Sequence, residues 1–155
     1  MIQELFSIAG KTAFITGGSR GIGYMIAHGY VAAGARVYIS SRKKDQCDAA
    51  AAELAKLGTC VSLPADLGKI SEIERVAAEL EAREEKLDIL VNNAGATWGA
   101  TIDAFPENGW DKVMDLNVKS PFFLVQKFLP ALERAARATD PARIINVGSV
   151  DGMHT

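Results

Sequence analysis

The chain has 155 residues, of which 48% are hydrophobic and 23% charged. That length and balance fit one soluble domain with a real core, and exclude a disordered, collagenous or low-complexity chain. Lys plus Arg number 17 against 19 Asp plus Glu, a net charge of −2, which gives no electrostatic case for nucleic acid or an anionic membrane as partner.

Residues 12–17 (TAFITG) form a short apolar run of strand formers. Residues 22–33 carry Ile22, Ile26 and Tyr30 at helical spacing and stop at Gly34, a helix-end signal. Residues 36–41 (RVYISS) read as a second strand. Residues 45–57 read as a helix with Cys47, Ala50, Leu54 and Leu57 on one face. Residues 60–63 are a third strand, ended by Pro64. Residues 69–85 are a charged helix with Ile70, Ile73, Val76, Ala77 and Leu80 as its buried stripe; the charges read as a solvated face. Residues 87–92 (LDILVN) are a fourth strand, 109–137 a long helical region, and 143–147 (RIINV) a fifth strand. Strands alternating with helices predict a doubly wound α/β fold, a parallel sheet with right-handed crossovers covered on both faces. No linker or repeat interrupts the pattern.

Other classes drop out. The longest uncharged run lies between Arg20 and Arg36 and is broken by four glycines and His28. It falls short of the ~20 apolar residues that a spanning helix needs. The N-terminus shows no basic region followed by an apolar stretch, so no signal peptide is visible. Cys47 and Cys60 form no C-x-x-C pair and read as reduced thiols of a cytoplasmic protein. With His28 and His154 isolated, no His/Cys metal cluster is expected.

Thr16-Gly17-Gly18-Ser19-Arg20-Gly21-Ile22-Gly23 joins the first strand to the first helix. A diphosphate needs a close backbone there, and the helix that follows offers free N–H groups and a partial positive charge. A tight turn alone would also use glycines, and methyltransferase domains place a glycine-rich turn here too. The strand before and the helix after favour a nucleotide. The second strand ends in Ser40-Ser41-Arg42-Lys43, with no carboxylate before Asp45. An acidic residue there would suit the ribose of NAD; Arg42 with Arg20 suits the 2′-phosphate of NADP. The expected cofactor is therefore NADP(H) ahead of NAD(H), unless Arg42 and Lys43 are only a solvated loop.

Taken together, these residues resemble the short-chain dehydrogenase/reductase family, in order and over the whole chain. Thr16 to Gly23 matches its cofactor turn, Asp66-Leu67 its adenine contact, and Asn92-Asn93-Ala94-Gly95 its NNAG motif. Asn117 in Leu116-Asn117-Val118 matches the active-site Asn, and Ile145-Asn146-Val147-Gly148-Ser149-Val150 the strand bearing the active-site Ser. The resemblance implies a Rossmann-type sheet of order 3-2-1-4-5. It implies cofactor contacts at Gly17, Ser19, Arg20, Gly21, Ile22, Gly23, Ser41, Arg42, Asp66, Leu67, Asn93 and Gly95, and catalytic roles for Ser149 and Asn117.

Bland readings stand beside several of these. Asp66 can cap its turn instead of meeting adenine, and Gly95 can be a plain turn. Asn92 reads as a brace between loops at the sheet end. Trp98 and Trp110 read as packing residues, with Trp98 also a candidate border of the substrate pocket. Pro121, four residues after Asn117, has no N–H for the Asn117 carbonyl. In the family that carbonyl is implied to hold a relay water. Pro121 either keeps it open or only starts a second helical segment.

The family's Tyr-x-x-x-Lys pair, its general acid/base and the Lys that tunes it, belongs on the helix after the Ser. Tyr24, Tyr30 and Tyr38 all precede Asn92, and none has a Lys four residues later. Residues 1–155 therefore read as a dinucleotide-binding domain truncated before that helix. The expected whole protein reduces a ketone to a secondary alcohol with NADPH. Gly148-Ser149-Val150 and the glycine turn resemble 3-oxoacyl-carrier-protein reductases, including rhamnolipid-linked ones; sugar-acid and polyol dehydrogenases are rivals. The substrate is a small molecule or acyl thioester, and the full-length form is expected to be a homo-oligomer. A non-catalytic nucleotide-binding module and an inert truncation product are the alternatives. The fifth strand is expected at an open apolar edge, leaving the chain marginally stable and prone to self-association.

Overall fold

The computed structural model describes residues 6–152. Five parallel strands form one sheet of order β3-β2-β1-β4-β5. They are β1 (Thr12–Thr16), β2 (Arg36–Ser40), β3 (Cys60–Ser62), β4 (Ile89–Asn92) and β5 (Arg143–Asn146). Helices α1 (Gly21–Ala32), α2 (Lys44–Leu54), α3 (Ile70–Glu81), α4 (Glu107–Met114) and α5 (Ser120–Ala135) make the crossovers. The strand order is the one the family resemblance implies. β1 pairs with β2 in register Phe14↔Tyr38 and with β4 in register Phe14↔Leu90.

Alternation along the strands divides the core between the two faces of the sheet. Phe14, Tyr38 and Leu90 pack with Ile73, Val76 and Leu80 of α3 and Leu124 and Phe128 of α5. Ala13, Ile15, Val37, Ile39 and Val91 pack with Ala27 and Val31 of α1 and Cys47, Ala50 and Leu54 of α2. β1 and β4 are buried throughout, as two-sided burial of parallel strands requires.

Three helical details differ from expectation. The buried stripe of α1 is Gly23, Ala27 and Val31, one position past Ile22, Ile26 and Tyr30; Ile22 is 57% exposed. One residue turns a helix by about 100°, and small residues let α1 lie close on the sheet. α2 ends at Leu54, and the tight turn Leu57 N–H to Leu54 carbonyl swings Leu57 into solvent. The helical region after β4 is divided: α4 passes into a π-helical turn, Asp115–Lys119, before α5.

At the amino ends of the strands, the Glu84 carboxylate accepts from Tyr38 Oη at 2.7 Å and Arg36 Nε at 3.0 Å. Burial, then the bond to Glu84, pushes the Tyr38 phenol up to about 12. β5 lies at one edge of the described sheet, with Ile144 44% and Ile145 39% exposed. Phe122 and Leu129 of α5 are exposed too. With Pro121, Val125, Gln126 and Asn146 they line a groove of about 380 Å³.

Candidate functional site

The site begins at the turn between β1 and α1. Gly17 has φ 68°, a left-handed conformation that a side chain disfavours. Gly23, in the first turn of α1, lies against this turn: a Cβ there would sit 2.3 Å from the Gly17 carbonyl oxygen and 2.5 Å from Asn93 Nδ2. No side chain caps the N-terminus of α1, and its first turn holds no acidic residue. Its N–H groups and partial positive charge are therefore open to an anion.

Thr16 ties this turn to the loop after β4. Its hydroxyl accepts from the N–H groups of Asn93 and Ala94, both at 2.9 Å, and donates to the Val91 carbonyl at 3.3 Å. Asn93 Nδ2 returns a bond to the Thr16 carbonyl at 3.0 Å. Thr16→Val keeps the shape and strands two N–H groups. We expect a loss of about 2 kcal/mol of stability, read as a lower urea midpoint at unchanged slope; Thr16→Ser should retain most of it.

A cavity of about 490 Å³ opens at the carboxyl ends of β1, β2 and β4. Of the sequence-predicted cofactor residues, Gly17, Ser19, Arg20, Gly21, Ser41, Arg42, Leu67, Asn93 and Gly95 line it. Ile22, Gly23 and Asp66 do not. Gly23 backs the turn from behind, and Ile22 is exposed on α1. Asp66 caps its own turn, accepting from the Gly68 N–H at 3.3 Å with Lys69 Nζ 3.6 Å away. The wall also holds Ser40, Lys43, Gln46, Ala65, Ala94 and Leu116. Ser40 and Lys43 flank the predicted Ser41-Arg42 pair. Leu116, beside Asn117 in the matched Leu116-Asn117-Val118 segment, reaches the wall as well.

The β2 end of the cavity is its polar part. Arg42 and Lys43 follow β2 and Arg20 follows the glycine turn; all three line the cavity, and no carboxylate does. The Ser40 and Ser41 hydroxyls are buried there without a protein partner. Buried hydroxyls seek partners, so this end suits a ligand with several acceptor oxygens.

Asn117 lies in the π-helical turn, where the Ser120 N–H reaches back to the Asp115 carbonyl. Its side-chain amide grips Ala96 twice: the Ala96 N–H donates to Oδ1 at 2.8 Å, and Nδ2 donates to the Ala96 carbonyl at 2.9 Å. Pro121 does stand at the start of α5, and it has no N–H to offer the Asn117 carbonyl. Asn92 is the expected brace, joining β4 to β5 through Nδ2 to Asn146 Oδ1 at 2.9 Å. Ser149 follows β5 and is exposed; its carbonyl accepts from the Gly152 N–H at 3.1 Å. Neither Asn117 nor Ser149 lines the cavity. Trp98 packs on Gly109, whereas Trp110, expected in packing, is 60% exposed.

Among the described residues no group of three His, Cys, Asp or Glu side chains could hold a metal, and no helix is long and apolar enough to cross a membrane.

A short chain dehydrogenase family model matches residues 11–155. The chain is 51% identical to the rhamnolipids biosynthesis 3-oxoacyl-[acyl-carrier-protein] reductase of Pseudomonas aeruginosa, over 98% of this chain and 59% of that protein. It is 37% identical to a D-beta-hydroxybutyrate dehydrogenase of Cupriavidus necator, over 93% of this chain and 55% of that one. The solved RhlG/NADP active-site complex of Pseudomonas aeruginosa superposes with a TM-score of 0.91 at 51% identity, over 96% of this chain and 58% of that one. A metagenomic short-chain oxidoreductase in complex with NADP superposes at 0.85 with 34% identity, over 92% and 64%. The chain thus spans between half and two-thirds of the length of these relatives.

Proposed function

Because the chain belongs to the short-chain dehydrogenase family, we propose that residues 1–155 form the NADP(H)-binding part of an oxidoreductase that reduces a ketone to a secondary alcohol, with a 3-oxoacyl compound as the favoured substrate. The observation that carries the cofactor is the cavity lining, with Arg20, Arg42 and Lys43, two buried unpartnered hydroxyls at the end of β2 and no carboxylate. An NAD site would hold an acidic residue for the ribose hydroxyl at this place. The relatives whose names record NADP or 3-oxoacyl reduction support the reading.

In this reading Gly17, Ser19 and Gly21, with the N-terminus of α1, hold the diphosphate. Ser41, Arg42 and Arg20 hold the 2′-phosphate. Asn93 and Gly95 border the ribose, Leu67 borders the adenine, and Asp66 shapes the turn beside it. The cofactor supplies the hydride when bound. Ser149 donates its hydroxyl hydrogen to the substrate oxygen as negative charge develops there. Asn117 fixes the loop at Ala96 and holds a water of the proton relay on its carbonyl. The same reading takes the whole protein as a homo-oligomer, which the exposed Trp110, Val118 and Phe122 support.

Fluorescence titration tests the cofactor assignment. NADPH is expected to bind at least about tenfold more tightly than NADH, a difference of ~1.4 kcal/mol. Equal constants would refute it. On a full-length version that carries the Tyr-x-x-x-Lys helix, a 3-oxoacyl thioester assay separates an oxidoreductase from a nucleotide-binding module: binding without turnover assigns the module.

A further inference from the structure

Three basic side chains make no ion pair, hydrogen bond or ring contact among the described residues, and all three line the cavity: Arg20, Arg42 and Lys43. The other basic side chains are engaged. Lys112 stands over the Trp98 ring, and Arg137 binds the carbonyls of Arg134 and Ala136. The rest form ion pairs with Asp or Glu, as Arg75 does with Glu72 and Glu79. A cleft lined by one sign of charge draws the opposite ion. A 2′-phosphate uses only part of what stands here. The NADP(H) reading places Arg20, Arg42 and Ser41 on it, which leaves Lys43 and the Ser40 hydroxyl. Ser40 is fully buried in the cavity wall, and its Oγ has no partner. The backbone of this segment is fixed: the Ser40 carbonyl accepts from the Gly18 N–H at 3.2 Å, and the Ser41 carbonyl from the Ala65 N–H at 3.1 Å. α2 begins just beyond. No side chain caps its N-terminus, and Gln46 lines the cavity while Asp45, the acidic residue of its first turn, does not.

On a ribose the 2′ and 3′ oxygens are neighbours on one face of the ring. To accept a phosphate on one and refuse it on the other, a site needs a clash or a like charge at the refused position. No carboxylate lines the cavity, and the three cations are exposed, with no protein partner to fix where their heads point. We infer that the cavity also takes an adenosine bearing a 3′-phosphate and a 5′-diphosphate, the nucleotide of coenzyme A thioesters, with Lys43 on the 3′-phosphate. Coenzyme A and its acyl thioesters then compete with NADP(H) for one site. A thioester carried on a protein has no such nucleotide and leaves the cofactor in place. The inference rests on the NADP(H)-binding reading and adds a regulation to that site.

The test is displacement of NADPH from the 155-residue chain, followed by the fluorescence of the nucleotide. Coenzyme A is expected to displace it. Dephospho-coenzyme A, which lacks only the 3′-phosphate, should be weaker by about tenfold or more, the scale of one charge-assisted hydrogen bond. Adenosine 3′,5′-bisphosphate should come within about fivefold of adenosine 2′,5′-bisphosphate, and adenosine 5′-monophosphate should be weaker than both by about tenfold. Lys43→Ala should weaken the 3′,5′-bisphosphate by about fivefold and the 2′,5′-bisphosphate by less than about twofold, since an exposed cation acts mainly on the charge beside it. With NADPH still bound by the wild type, equal strength of coenzyme A and dephospho-coenzyme A would overturn the inference. So would a 3′,5′-bisphosphate no tighter than the 5′-monophosphate, or a Lys43→Ala loss no larger for the 3′- than for the 2′-phosphate. Failure of the wild type to bind NADPH would instead remove the cofactor reading, and this inference with it.

Discussion

Gly23→Ala is expected to abolish dinucleotide binding, raising the Kd for NADPH by more than about 100-fold, or ~2.8 kcal/mol. The added Cβ would meet the Gly17 carbonyl oxygen at 2.3 Å and Asn93 Nδ2 at 2.5 Å. Neither can retreat. The Gly17 carbonyl is backbone held at φ 68°, and Asn93 Nδ2 is tied to the Thr16 carbonyl at 3.0 Å. The helix must lift instead, and the N–H groups at its start leave the turn that they complete. Forced overpacking costs about 1–3 kcal/mol, while alanine returns up to ~1 kcal/mol of helix propensity. The variant should therefore remain folded with a modestly lower urea midpoint, so loss of binding reports on the cradle. Binding within a few-fold of the wild type would show that the cofactor does not use this turn.

The second large effect is one of selectivity. Arg20→Ala combined with Arg42→Ala is expected to weaken NADPH by about 100-fold and to leave NADH nearly unchanged. A charge-assisted hydrogen bond contributes about 1.5–3 kcal/mol. Both arginines are solvent-exposed, which brings each toward the lower figure, or about tenfold apiece. The wild-type preference for NADPH should also shrink as salt is raised, because exposed charges are screened. Competitive displacement by the two nucleotides, at low and high salt, measures both effects. An equal loss of NADPH and NADH would place the arginines at the diphosphate and remove the 2′-phosphate assignment.

Much of the architecture was legible because parallel strands announce themselves. Phe14 and Ile15, like Leu90 and Val91, sit in runs apolar on both faces, and such runs separated by helical stretches leave one fold class. The glycine turn was legible for a similar reason, since close backbone approach admits only one residue type at Gly17 and Gly23. On α1 the spacing of Ile22, Ile26 and Tyr30 marks the helix, and Ile26 and Tyr30 do meet the core, but the fully buried stripe is the smaller one beside them. There the helix sits so near the sheet that Gly23, Ala27 and Val31 fit and Ile22 does not. Thr16 stands at the head of the glycine turn, but what its hydroxyl holds does not show in the sequence. Its role lies in partners 77 and 78 positions away, which no local pattern contains. The π-helical turn at Asn117 had one local trace, the spacing to Pro121. That trace told of a missing donor and not of the extra residue in the turn. Asp66 fits both readings of its motif, because the carboxylate that could meet an adenine also closes the turn at Gly68.

The bond from Thr16 to the loop after β4 also bears on how the chain comes off the ribosome. The glycine turn lies within residues 16–23, yet two of the hydrogen bonds that hold it wait for the N–H groups of Asn93 and Ala94. β1 likewise waits for β4, its neighbour on one side. At a synthesis rate of about 5–20 residues per second, the glycine turn is exposed and unsupported for several seconds. A nascent chain arrested before the fourth strand should therefore be open to protease at residues 17–23, and one extended well past it should be protected there. The turn is in this sense finished late, by residues made long after it.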